Sequence, residues 1–193
     1  MKKYVLALAA ASLAFGQNPE AELRKAFATK TGSVTLPAGT IEIAREIVIP
    51  PDAQGLEIHG AKTTIKAAGT FRGRALLVIT AAKKVHIDGL SLDGNRDQIG
   101  RMMGLPPSET PFSRFVPNNG ILAEDTSDLE IGGVKASNVA GFAILVNAGH
   151  GVRIHNIEIT IPNECIFIII FDMRRSYTKF VIVSINGNSW FIP

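Results

Sequence analysis

The chain has 193 residues, 46% of them hydrophobic and 19% charged, an ordinary globular composition with enough length for one cored domain, so a disordered or fibrous chain is excluded. A single cysteine excludes a disulfide framework. The formal charge of +3 falls to about +1 once Lys2 and Lys3 are assigned to a targeting segment, which leaves no polyanion-binding balance and argues against a nucleic-acid partner.

Residues 1–16 read as a signal peptide: Lys2 and Lys3, the apolar run Tyr4 to Phe15, and the small-residue site Ala14-Phe15-Gly16. The predicted address is secreted or periplasmic. That run is shorter than the roughly 20 residues that span a bilayer, and no later stretch reaches that length, so no membrane span is expected. No Cys follows the cleavage site to carry a lipid, and Cys165 alone forms no intramolecular disulfide. Stability must come from packing.

Residues 17–32 predict a capping helix. Asn18 can cap it, Pro19 suits its first position, Leu23 and Phe27 share a face, and Lys30 and Gly32 end it. No second helix is evident. From residue 33 to 159 the signal changes to short alternating strands separated by turn residues, an all-β pattern.

An internal repeat organises these strands. The segments Leu56-Glu57-Ile58-His59-Gly60, Val85-His86-Ile87-Asp88-Gly89, Leu129-Glu130-Ile131-Gly132-Gly133 and Val152-Arg153-Ile154-His155-Asn156 share the order apolar, polar, Ile, variable, then Gly or Asn. Eight residues before each lies another apolar strand, at Val48, Leu77, Ile121 and Ile144. The units start 29, 44 and 23 residues apart, the spacing of solenoid coils with one insertion, residues 95–119. Short Ile-rich strands stack best in parallel, each coil burying its apolar residues on the next. The expected fold is all-β: a right-handed parallel β-helix with an N-terminal capping helix.

The capping helix, Val34-Thr35-Leu36-Pro37-Ala38-Gly39-Thr40, and the coils with Leu92-Asp93-Gly94-Asn95-Arg96-Asp97 resemble the pectate-lyase superfamily of right-handed β-helix proteins over roughly Asn18 to Ile159. The resemblance implies a fold. That group includes polysaccharide lyases, glycoside hydrolases, epimerases, tailspikes and noncatalytic surface proteins, so it does not choose a reaction.

Alternation places two polar rows on the outside of the repeat: Glu57, His86, Glu130, Arg153 and His59, Asp88, Gly132, His155. Stacked coils would set neighbours in a row about 4.8 Å apart, where complementary pairs support either a solvated face or sugar binding. The richest cluster is Asp88, Asp93, Asn95, Arg96 and Asp97, where the insertion leaves the solenoid. Asp93, Arg96 and Asp97 are the candidate catalytic residues: carboxylates serve as general acid and base, and Arg neutralises a uronate. Asn95, His86 and His150 are the candidate substrate-binding residues. Turn duty is the competing reading of Asp-Gly-Asn. No cofactor or metal ligand set is evident, although carboxylates of this kind also hold calcium. Gly149-His150-Gly151 is similar to the Gly-His-Gly of polygalacturonases, which implies a histidine near catalytic carboxylates, but the acidic motifs expected before it are absent and a turn competes.

Both candidate faces of the strands at Val48, Leu77, Ile121 and Ile144 are apolar, so one set needs a cover. The insertion, with Met102, Met103, Leu105, Phe112 and Phe115, is the expected cover. Beyond Thr160 the repeat fails: Cys165 to Phe171 is continuously apolar, followed by Arg174-Arg175 and Phe180 to Ile185. Residues 160–193 are either a cap over the last coil or a non-native continuation after a frameshift or truncation, and the loss of the repeat favours the second.

The expected function is an exported polysaccharide-active protein, a lyase or glycoside hydrolase on uronate-containing or related glycans. The alternatives are a noncatalytic carbohydrate-binding or surface β-helix, or an inactive fragment of a larger one.

Overall fold

A computed structural model describes residues 18–99, 117–160, 168–172 and 177–181, with backbone pairing only for the last two segments. The signal-peptide segment and residues 100–116 of the insertion lie outside the described residues.

Helix α1 (Pro19–Phe27) starts as its sequence dictates: the Asn18 side chain accepts from the Glu20 amide at 3.1 Å, and Pro19 needs no partner at the first position. Leu23 and Phe27 are fully buried in the main core. Arg24 donates to the carbonyls of Arg45 at 2.8 Å and Glu46 at 3.0 Å, tying the helix to the first coil.

The remaining described chain is a parallel β-solenoid of about four turns. One face, sheet I, contains β1 (Gly32–Thr35), β3 (Gln54–His59), β5 (Lys83–Asp88), β8 (Glu130–Gly132) and β11 (Arg153–His155), stacked in sequence order. The other two faces share the long strands β2 (Gly39–Ile49) and β4 (Thr63–Thr80). Their first halves continue into β6 (Ser91–Asp93), β9 (Lys135–Ser137) and β12 (Glu158–Thr160), forming sheet II. Their second halves continue into β7 (Asn119–Glu124), β10 (Ile144–Asn147) and β13 (Ile168–Asp172), forming sheet III, and β14 (Tyr177–Val181) pairs antiparallel to β13.

The repeat sets this register. Val34, Ile58, Ile87, Ile131 and Ile154 align across sheet I, and Ile58, Ile87 and Ile131 are essentially fully buried. Each such side chain contributes about 1.5–3 kcal/mol relative to exposure. The fifth repeat position turns the chain into sheet II with φ of 71° at Gly89, 61° at Gly133 and 52° at Asn156, the left-handed region where Gly and Asn are tolerated.

One alignment expected from the repeat is corrected. Val48 pairs with Val78, and Ile47 with Leu77, because the first coil has one extra residue in its Pro50-Pro51-Asp52-Ala53 turn. Ile47, Leu77, Ile121 and Ile144 therefore point into the core. The outward row is Val48, Val78, Leu122 and Leu145. Val78, Leu122 and Leu145 are also fully buried and form a second cluster with Ala75 and Phe142, whereas Val48 is 44% exposed. The insertion residues expected to cover this row lie outside the described residues. A second helical turn, α2 (Arg96–Ile99), is present; four residues are too few to show a helical period.

Candidate functional site

The three faces differ in chemistry. Sheet II carries complementary charge pairs facing water, Glu42 with Lys66 at 3.1 Å and Lys135 with Glu158 at 2.8 Å. Such exposed pairs keep a face soluble and add little stability. Sheet III is apolar outside, and at its edge stands a half-buried Glu-Arg-Glu group.

Arg74 lies where β4 bulges against β2, between the pairs Arg45 with Arg72 and Ile47 with Leu77. Its amide donates to Glu46 Oε2 at 2.8 Å, and its carbonyl accepts from the buried Asn119 side chain at 2.8 Å. Asn119 Oδ1 in turn accepts from the Phe142 amide at 2.8 Å, so the network runs through four successive coils. The Arg74 guanidinium reaches Glu124 Oε2 at 2.6 Å, with Glu46 Oε2 4.0 Å from Nε. The Glu124 side chain is 13% exposed and that of Glu46 27%. Gly73 leaves the room Glu46 uses, since a Cβ there would sit 3.1 Å from Glu46 Cβ and 2.8 Å from the Phe71 ring.

Charges this enclosed cost desolvation energy, which geometry and hydrogen bonds must offset. Two carboxylates on one guanidinium form a set able to move protons and to bind an anionic or hydroxyl-rich ligand. Among the described residues, no group of three or more His, Cys, Asp or Glu side chains is placed to hold a metal ion.

The residues singled out from the sequence fall in three places. Asp93 and Asn95 come together at the corner between sheets II and III: Asp93 Oδ1 accepts from the Asn95 amide at 3.0 Å and from Asn138 Nδ2 at 3.2 Å. Asn95 Nδ2 donates to the Ala67 carbonyl at 2.9 Å and lies 3.2 Å from Gln98 Oε1. This is a turn network joining three coils. Arg96 is buried on α2, its amide donating to the carbonyl of the same Asn138 at 3.0 Å, and Asp97 is exposed on that turn. Gln98 packs α2 onto β4 at Gly69.

His86 is on sheet I. His150 is exposed in the turn entering β11, where its amide donates to the Thr126 carbonyl at 2.9 Å. Its flanking glycines have steric reasons: a Cβ at Gly149 would meet Val146 at 2.6 Å, and one at Gly151 would meet Asp128 at 2.7 Å. The structure therefore does not bring His86 or His150 to the Asp93 corner.

Sequence reading missed Arg74 and Glu46. Their segment is where β4 departs from the repeat, so alternation gives no address for Arg74. Glu124, three residues after the inward Ile121, carried a usable signal: it is a charge on the outward side of an otherwise apolar strand.

Both polar rows of sheet I form in the expected register. Glu130 is the centre of the first. His155 Nε2 is 3.0 Å from Glu130 Oε1, and Arg153 Nη1 is 3.4 Å from Glu130 Oε2. The His155 hydrogen bond, then the charges of Arg153, His86 and His155, hold the Glu130 carboxyl below its ordinary range against a smaller opposing desolvation.

Fold and geometry thus define a parallel β-solenoid with two polar faces and one apolar face. No family model matches the chain, and no curated protein matches it. Among solved structures it is similar to a candidate glycosyl hydrolase from Parabacteroides merdae, at 17% identity and a TM-score of 0.49. The match covers 68% of this chain and 65% of that one, so the chain spans just under two thirds of that protein's length. No helix among the described residues is long and apolar enough to cross a membrane.

Proposed function

We propose that this chain is an exported, carbohydrate-active β-helix protein of the pectate-lyase superfamily type, with Glu46, Arg74 and Glu124 as its working group. The observation that carries the reading is the half-buried Arg74 guanidinium shared by two carboxylates at the edge of the apolar face. Cleavage of a glycosidic bond needs two carboxyl groups, one protonating the leaving oxygen and the other activating water or attacking the sugar. Glu46 and Glu124 are assigned those two roles. On a uronate-containing glycan, Arg74 would meet the sugar carboxylate while one glutamate takes the proton from the carbon beside it; a C=C bond forms as the neighbouring C–O bond breaks, and the other glutamate, protonated, gives its proton to the departing oxygen.

Incubation with uronate and neutral polysaccharides, with and without calcium, tests this. Unsaturated products identify a lyase, and new reducing ends alone identify a hydrolase. No product on any substrate overturns the catalytic reading. Asp97→Asn belongs in the same assay because Asp97 is exposed on α2.

A noncatalytic, glycan-binding protein is the second reading. It is favoured by the closed Glu-Arg-Glu pairing and by Asp93 and Asn95 being engaged in a turn. Saturable binding without turnover would support it.

A further inference from the structure

All four histidines of the chain gather on sheet I or at its entry: His59, His86 and His155 point outward from β3, β5 and β11, and His150 sits in the turn leading into β11. The Glu-Arg-Glu group lies on a different face, so its chemistry does not account for this gathering.

We propose that the outward face of sheet I docks an acidic polysaccharide at mildly acidic pH and releases it near neutrality. The outward charges are the carboxylates of Glu57, Asp88 and Glu130 against one guanidinium, Arg153. With neutral imidazoles the face has a net charge of −2, which repels a polyanion. With His59, His86 and His155 protonated it is +1. Histidine is the side chain whose ordinary titration falls in this pH range. The entry edge carries Lys83, Lys84, Asp125 and Asp128, with Lys30 paired to Asp52 at 3.1 Å, and adds no net sign.

The geometry supports this exchange. His155 already contacts Glu130, and His59 Nε2 lies 3.9 Å from Glu57 Oε2, so each proton gained neutralises a carboxylate that otherwise faces the ligand. Arg153, with its side chain 73% exposed, then stands as the leading cation. A glycan fits better than a nucleic acid: the outward rows contain no Phe, Tyr or Trp on which a base would stack and only one permanent cation. The coil repeat of about 4.8 Å is on the scale of one sugar unit, so a linear chain laid along the solenoid meets successive coils in turn.

Binding of a polygalacturonate fragment measured by calorimetry at pH 5.5 and 7.5 tests the proposal, with dextran and single-stranded DNA as comparison ligands. The expected result is about tenfold tighter polyuronate binding at pH 5.5, the scale of a few exposed ion pairs, with no such gain for dextran. The combined His59→Gln, His86→Gln and His155→Gln variant should lose the difference while keeping its circular dichroism spectrum. If that variant fails to fold, His86→Gln alone should reduce it. Lys135→Gln, in the exposed charge pair of sheet II, should leave the pH dependence intact, which ties the gain to sheet I. Equal affinity at both pH values, a histidine variant with the full gain, or an equal gain for DNA would overturn the proposal.

Discussion

The imidazole of His155 occupies the space above Gly132. The two are register partners on adjacent strands, and a Cβ at Gly132 would lie 2.5 Å from His155 Cε1. Because position 132 is empty, the ring reaches diagonally to Glu130. Gly132→Ala should displace the ring while leaving the strand intact, since Gly132 is not among the positive-φ glycines.

The first consequence is electrostatic. In the parent chain, the Glu130 carboxyl should titrate below the ordinary carboxylate value, and in Gly132→Ala it should move back up, as resolved by carboxyl NMR. A depressed folded pKa stabilises the fold above the unfolded value, and that contribution is lost as pH falls through the folded one. Below that window, Gly132→Ala and the parent should lose stability in parallel. An unchanged Glu130 midpoint in the variant would show that the hydrogen bond to His155 is not the principal cause.

Gly94 follows β6 and lies against the next coil. A Cβ there would approach the Asn138 carbonyl oxygen and Val139 Cα at 2.5 Å each. These contacts are backbone atoms, so nothing there is able to rotate away. Gly94→Ala should cost about 1–3 kcal/mol, the scale of overpacking, measured as a shift in the urea midpoint.

Leu122 tests the second apolar cluster. Its side chain is fully buried on the outward side of sheet III. Leu122→Ala should cost about 2–5 kcal/mol, as for a core leucine. Val48→Ala, at the 44% exposed end of the same row, should cost much less. Equal small losses would mean that the outward row contributes little to folding.

Arg74 is expected to act on both stability and function. Arg74→Gln leaves Glu46 and Glu124 enclosed without their shared cation, which should destabilise by about 1–3 kcal/mol and weaken the binding of uronate oligosaccharides more than that of neutral ones. Arg74→Lys should restore part of the stability but not the geometry of a planar guanidinium. Equal losses for charged and neutral sugars would remove Arg74 from carboxylate recognition.

Much of the scaffold was legible because the repeat is local. Val85-His86-Ile87-Asp88-Gly89 specifies a buried pair, an exposed pair and a left-handed turn in five residues, and four such units fix the sheet I register. The first coil slipped by one position because a Pro50-Pro51 turn residue changes spacing without changing composition. Asp93 and Asn95 were legible as a cluster, but their engagement was not: Asn138, the partner of Asp93, lies 45 residues away. Arg74 and Glu46 meet across 28 residues at a bulge, where alternation fails and only the fold supplies the contact.

The most direct measurement compares the parent chain with Glu124→Gln for release of product from a polyuronate, with folding checked by thermal melting. Turnover is expected in the parent, and its loss by 100-fold or more, on the scale of removing an acid or base group, in a variant that still melts cooperatively. Turnover that survives the substitution, or a parent that binds the polymer and never cleaves it, would contradict the catalytic reading.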